Sequence, residues 1–256
     1  FSRGTSEPFW TTSCLLADLN QDGLPDLFDV GYCGGPEIRS LTCLKQGRQR
    51  SCSPRAFTPA TDRLWINQGN GQFTEAGKAA GLDQPPQYGL GVLTVPIGSS
   101  LQPGLFIAND EVPNQLYLFD RIASDKGTLS LREEAFARGV SVDAEGLSQA
   151  CMGVACDDFD GDGQADLFVT NFYRESNTLY LQQADGLFLD LTRTSGLRPP
   201  SLEMLGFGTQ ALDADLDGWP DLIVTNGHID DLRDAGEPFQ MPAQFYRNLG
   251  QARFEL

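Results

Sequence analysis

The chain has 256 residues, 40% of them hydrophobic, enough to bury a sizeable core. With 35 acidic against 18 basic residues its net charge is −17, which excludes nucleic acid as a partner. No run reaches the roughly 18 apolar residues of a membrane helix, so no membrane span is expected.

No signal-peptide pattern is present, and the start at Phe1 without Met reads as a processed chain or a piece of a longer one. The 28 Gly and 15 Pro point to many turns. Amphipathic helical patterning is scarce, and the nearest stretch, Leu131 to Val140, is short. The expected class is therefore all-β.

Taken in order, the chain reads as four copies of one unit. The first spans about residues 10–82. Thr12 to Ala17 predicts a short strand, Asp18 to Asp26 an acidic turn, and Leu27 to Val30 the start of the next strand. An insertion over 31–61 follows. It holds Cys33, Cys43 and Cys52 and the basic residues Lys45, Arg48, Arg50 and Arg55. A hairpin from Trp65 to Phe73 closes the unit, with Gly-bearing turn residues between two apolar ends.

The second unit, 88–140, keeps the strand pattern: Leu105-Phe-Ile-Ala-Asn109 aligns with Leu167-Phe-Val-Thr-Asn171. Its acidic turn is gone, because the equivalent positions read Pro96, Gly98, Ser100 and Gly104. No ion is expected there. The third unit, 146–197, is the shortest, with its hairpin from Tyr180 to Phe188. The fourth, 206–256, inserts His228 to Pro238 before the hairpin from Tyr246 to Phe254. Strand, acidic turn, strand, variable loop and hairpin make about four strands per unit, the content of a propeller blade. Blades must stack to bury both faces. Four are few for a closed ring, so the expected architecture is a β-propeller of which this chain is part.

The three acidic turns carry the chemistry. They are Asp18-Leu-Asn20-Gln-Asp22-Gly-Leu24-Pro-Asp26, Asp158-Phe-Asp160-Gly-Asp162-Gly-Gln164-Ala-Asp166 and Asp213-Ala-Asp215-Leu-Asp217-Gly-Trp219-Pro-Asp221. Eleven of the 35 acidic residues lie in these 27 positions. Carboxylates so close repel one another unless a cation sits among them, and oxygen-only donors suit Ca2+. The expected ligands are the side chains at positions 1, 3, 5 and 9, with the backbone carbonyls of Leu24, Gln164 and Trp219. An EF-hand is ruled out. It needs Glu at position 12, where Asp29, Val169 and Val224 stand, and helices on both flanks. The alternative is an acidic turn that holds only water, and threefold recurrence argues against it.

On these residues the chain resembles the FG-GAP/VCBS repeats of integrin-type β-propellers, whose hallmark is seen at Asp158 to Leu167. Cys52-Ser-Pro-Arg-Ala-Phe, Asp62-Arg-Leu-Trp-Ile-Asn-Gln-Gly-Asn-Gly-Gln-Phe and Asn226-Gly-His-Ile-Asp-Asp-Leu are similar to the cartilage acidic protein/ASPIC–UnbV group. The resemblance implies a β-propeller, calcium at three sites, and a secreted, periplasmic or cell-surface location. Asn20 departs from the all-Asp pattern, and the second repeat has lost its ligands.

Six cysteines are an even number without zinc spacing. Cys43–Cys52 is the favoured disulfide, with buried free thiols as the alternative. Catalysis finds little support. His228 is the one histidine, and a triad would have to use it with Asp230 or Asp231. A loop histidine bonded to backbone is the plainer reading. A nucleophile at Cys151 or Cys156 has no more behind it. The expected function is a non-enzymatic extracellular interaction or adhesion scaffold, with a protein or glycan partner on the loop face, where the Cys-rich insertion stands out. The alternatives are an accessory subunit of a larger cell-envelope complex and a propeller-type glycan hydrolase or lyase.

Overall fold

The computed structural model describes residues 9–45, 47–82, 84–121 and 129–256; Phe1, on which the processing expectation rests, lies outside them. Among the described residues the strands form four large antiparallel sheets, filled in chain order, and one two-stranded sheet within the insertion. Sheet I contains Phe9–Ala17, Asp26–Gly34, Arg63–Gly69 and Gln72–Glu75. Sheet II contains Gly89–Ile97, Gln102–Asn109, Gln115–Arg121 and Leu129–Glu133. Sheet III contains Val154–Asp157, Asp166–Val169, Thr178–Gln182 and Phe188–Asp190. Sheet IV contains Gly206–Leu212, Asp221–Asn226, Gln244–Asn248 and Phe254–Glu255.

Alternation along the second strands explains the stacking. Successive side chains of a strand point to opposite faces. Leu105 and Ile107 of sheet II enter a core shared with Phe28, Val30 and Leu64 of sheet I. Their neighbours Phe106 and Ala108 enter a second core with Leu167, Val169 and Tyr180 of sheet III. Phe168 and Leu179 of sheet III then meet Leu222, Val224 and Tyr246 of sheet IV in a third core. Sheets II and III are thus buried on both faces. The first strands of the four sheets lie side by side in order, and the Thr12 hydroxyl donates to the Gly89 carbonyl at 2.7 Å across the first of these steps.

One backbone contact repeats at each interface. Gly81, Gly139 and Gly196 have φ of +97°, +82° and +89°, and each follows the fourth strand of its sheet. A Cβ on them would lie 2.7, 2.5 and 2.3 Å from the carbonyl oxygens of Leu131, Phe188 and Phe254, in the fourth strand of the next sheet. Only glycine meets both demands.

Local structure differs from expectation at two places. Leu131 to Val140 is not one helical stretch. Leu129–Glu133 is a strand and only Ala135–Arg138 is helical, because Leu129 and Leu131, two residues apart, both fill the first core. The second strand of sheet I also continues to Gly34, since Cys33 and Gly34 pair with Pro59 and Thr58. The protruding part of the insertion is therefore 35–57. Within it Cys43–Lys45 pairs with Arg48–Arg50, and Cys43 and Cys52 form the expected disulfide. Among the described residues no helix is long and apolar enough to cross a membrane.

Candidate metal centres

Each acidic turn joins the first and second strands of its sheet, with strands and not helices on both flanks. Position 9 opens the second strand: Asp26 pairs with Ala17, Asp166 with Asp157, and Asp221 with Leu212. All three position-9 carboxylates are fully buried. One oxygen accepts the N–H of position 2: Leu19 at 3.1 Å, Phe159 at 2.9 Å and Ala214 at 3.1 Å. The other accepts an N–H from the third strand: Asn67 at 2.9 Å, Gln182 at 2.8 Å and Asn248 at 2.8 Å.

Position 1 acts as a second clamp. Asp18 accepts from the N–H groups of Asp22 and Gly23, Asp158 from Asp162 and Gly163, and Asp213 from Asp217 and Gly218, all between 2.9 and 3.1 Å. Position 5 takes the N–H of position 7: Leu24 to Asp22, Gln164 to Asp162 and Trp219 to Asp217. The turns are thus built on carboxylate acceptors, and their shape follows from the aspartate spacing.

In two turns the oxygens converge. Carboxylate oxygens of Asp158, Asp160 and Asp166 lie within 4.8 Å of one another, as do those of Asp213, Asp215 and Asp217. Oxygens bound to one Ca2+ at about 2.4 Å must lie no more than about 4.8 Å apart, so both groups have the right span. Asp162 and Asp221, also expected as ligands, stand outside these groups. Among the described residues the first turn forms no such group; there Asn20 donates to Asp22 at 3.0 Å. The Oε1 of Gln164 is buried with no hydrogen-bond partner, an orphaned acceptor in the third-sheet turn.

The electrostatics differ between turns. Burial pushes Asp166 up to about 8, against the lowering effect of its two backbone donors, and Asp160 and Asp158 add to the rise. Burial also raises Asp160, with Asp162 and Asp158 contributing repulsion, and Asp26 is raised for the same first reason. Sheet IV supplies its own counter-charge: Arg247 lies 2.5 Å from Asp215 and 3.2 Å from Asp217. No arginine or lysine pairs with the sheet III turn among the described residues.

A residue set absent from the sequence reading completes each turn. The amides of Asn67, Gln182 and Asn248 donate to the position-8 carbonyls of Pro25, Ala165 and Pro220 at 2.9, 2.5 and 3.1 Å. The signal was present. Each lies two residues past the hairpin aromatic Trp65, Tyr180 or Tyr246, and the corresponding position after Tyr117 is Phe119, in the unit whose turn lacks aspartates.

The residues weighed for catalysis are placed as follows. His228 Nδ1 accepts the N–H of Asp230 at 3.0 Å, and Nε2 faces Glu237 at 3.5 Å. Cys151 is buried and its thiol is pushed up by desolvation; that of Cys156 is pushed up to about 12 for the same reason.

Residues 158–224, which contain the turns of sheets III and IV, match the family model described as FG-GAP-like repeat. Cartilage acidic protein 1 of Mus musculus is 29% identical over 171 residues, covering 64% of this chain and 25% of the relative. The Homo sapiens protein of that name is 28% identical over 171 residues, covering 24% of its length. The chain thus spans about a quarter of the length of the curated relatives it matches. Among solved structures, exotype rhamnogalacturonan lyase YesX is similar with a TM-score of 0.44 and 17% identity, over 95% of this chain and 37% of that one. Residues 158–224 therefore match an FG-GAP-like repeat, and over 171 residues the chain is similar in sequence to cartilage acidic protein 1.

Proposed function

We propose that the chain is a calcium-binding part of a larger β-propeller, acting outside the cytoplasm as a non-enzymatic interaction scaffold. The observation that carries the metal reading is the recurrence of one clamp in three turns, with two of them gathering carboxylate oxygens within 4.8 Å. Asp158, Asp160 and Asp166 would hold one ion and Asp213, Asp215 and Asp217 another. Asp18, Asn20, Asp22 and Asp26 would hold the third. The backbone carbonyls of Leu24, Gln164 and Trp219 complete the proposed donor sets. A bound Ca2+ supplies charge compensation for carboxylates that otherwise repel.

The propeller reading rests on four sheets stacked through three successive cores, with their first strands in a row. Sheet IV keeps Ile223 and Phe245 40% and 43% exposed, and a further sheet would stack on that side. The units of the proposed single domain are those at 10–82, 88–140, 146–197 and 206–256. The Cys43–Cys52 disulfide favours a secreted, periplasmic or cell-surface setting. The proposed partner, a protein or glycan, docks on the face that carries the insertion.

Thermal melting with Ca2+ and with chelator tests the metal reading, alongside ion stoichiometry. Three ions per chain and a clear loss of Tm on chelation are expected. At about 100-fold saturation each site adds about 2.7 kcal/mol. Unchanged melting would refute it. A screen against neutral and acidic glycans addresses the hydrolase or lyase alternative, for which turnover would be decisive.

A further inference from the structure

The ends of the second strands and the segments that follow them converge on one cavity of about 500 Å3. Sheet I contributes Tyr32, sheet II Asp110 and Glu111, sheet III Phe172 to Glu175, and sheet IV His228 to Asp230. Tyr32, Asp110 and Phe172 occupy one repeat position, six residues past Asp26, Gly104 and Asp166. The two insertions close the remaining side. Ser51 donates through its backbone N–H and hydroxyl to Asp230 at 3.1 Å, Arg50 reaches Asp234 at 3.5 Å, and the Cys43–Cys52 disulfide forms part of the wall. The volume is that of a small-molecule site and far exceeds the space of a single ion.

The walls combine aromatic faces with carboxylates short of counter-charge. His228 is packed edge-on against Phe172 and Tyr173, at ring distances of 5.7 and 6.0 Å. Asp110 accepts the Tyr32 hydroxyl at 2.6 Å, and Glu175 accepts the Ala150 N–H at 2.8 Å. Among the described residues neither carboxylate has a cationic group within 4.0 Å, whereas their neighbour Glu111 pairs with Arg55 at 3.1 Å. Of the two arginines of the lining, Arg50 pairs with Asp234 outside the cavity, and Arg174 lies over the Tyr173 ring at 5.3 Å and not on either carboxylate. Burial pushes Asp110 up to about 6 and raises Glu175 as well. Partly buried carboxylates beside aromatic rings attract a positive group by charge and by the ring quadrupole.

We propose that this cavity binds an organic cation, an alkylammonium or guanidinium group, held by Asp110 and Glu175 against Phe172 and Tyr173. The group can belong to a free polyamine or to a lysine or arginine side chain of a protein partner. The proposal rests on the reading of this face as the interaction surface, and names the chemistry it recognises.

Isothermal titration of the 256-residue chain tests it, in millimolar Ca2+ so that the aspartate turns do not take up the ligand. The titrants are spermidine, a blocked lysine peptide and a neutral oligosaccharide. Saturable uptake of a cation is expected, weakened about tenfold by Asp110→Asn and again by Glu175→Gln. The melting temperatures of both variants, with and without chelator, check that they fold. Should Asp110→Asn fail to fold, Glu175→Gln and Tyr173→Ala carry the same expectation. Preference for spermidine identifies a free cation as the ligand, and preference for the peptide a side chain; both support the site. No cation uptake, uptake indifferent to these variants, or uptake of the oligosaccharide alone would overturn it. A chain stabilised by Ca2+ that ignores both cations loses this proposal alone. A chain that takes up the cation without responding to Ca2+ loses only the metal reading.

Discussion

Segments 95–104 of sheet II and 157–166 of sheet III have the same length and the same closing pair, Val95 with Gly104 and Asp157 with Asp166. In sheet II the chain zips two pairs further, Pro96 with Pro103 and Ile97 with Gln102, leaving a four-residue turn. In sheet III the eight residues between the closing pair stay open. The difference lies in where the N–H groups go. In 158–165 the N–H groups of Phe159, Gly161, Asp162, Gly163 and Gln164 are all taken by aspartate side chains. In 98–101 they go to the Gln182 side chain, the Ala184 carbonyl and the Gly98 carbonyl. The repeat is therefore a sheet first. Where aspartates accept its N–H groups the turn stays open, and where they are absent it closes within the same unit.

The comparison can be tested most severely at position 9. Asp166→Ala leaves two buried N–H donors without acceptors, so a loss of about 2–5 kcal/mol is expected in urea denaturation. Substituting Ser100, an exposed residue of the aspartate-free turn, to Ala should stay within about 0.5 kcal/mol. A loss below that limit at Asp166 would show that the aspartate does not hold the turn.

Sheet I offers a test of the shared frame. Asn114 and Asn177 accept the N–H of Asn109 and Asn171, and Asp62 accepts that of Gly31 at 2.8 Å. Burial, with repulsion from Asp29, pushes Asp62 up to about 7 from 3.8. A carboxyl raised in the fold favours the native state when protonated, so its contribution is complete below about pH 4 and lost as pH rises through about 7. Asp62→Asn keeps the acceptor and removes the charge. It should melt like the parent at pH 4 and be more stable by about 1–3 kcal/mol at pH 8. A gap that stays constant between these pH values would contradict the assignment.

The turn of sheet III is also braced by its neighbour in sheet IV. Gly161 has φ +81°, and a Cβ there would lie 2.7 Å from the Trp219 ring, whereas Gly163 at φ +86° has open space. Gly161→Ala should cost about 2 kcal/mol and Gly163→Ala about 1 kcal/mol, the excess measuring the Trp219 contact. Equal losses would mean that the ring moves aside freely. The smallest effect is expected at Arg247, whose charge already sits on Asp215 and Asp217. Arg247→Ala should tighten Ca2+ binding at that turn by up to about tenfold, read by titration of Trp219 fluorescence, with little change in Tm.

The aspartate spacing was legible because it is local. Nine residues contain the acceptors at positions 1, 5 and 9 and most of the N–H groups they satisfy, so the turn could be read from the chain itself. The β-branched and aromatic runs Leu105 to Ala108 and Leu167 to Val169 likewise announced strands. Tertiary structure alone placed Asn67, Gln182 and Asn248 on the position-8 carbonyls, Trp219 against Gly161, and Arg247 on its carboxylates. It alone drew Tyr32, Asp110, Glu175 and His228, from four sheets, around one cavity. These partners come from separate strands or units, and what brings them together is strand register and sheet stacking, which depend on packing across the chain and not on any short run of residues.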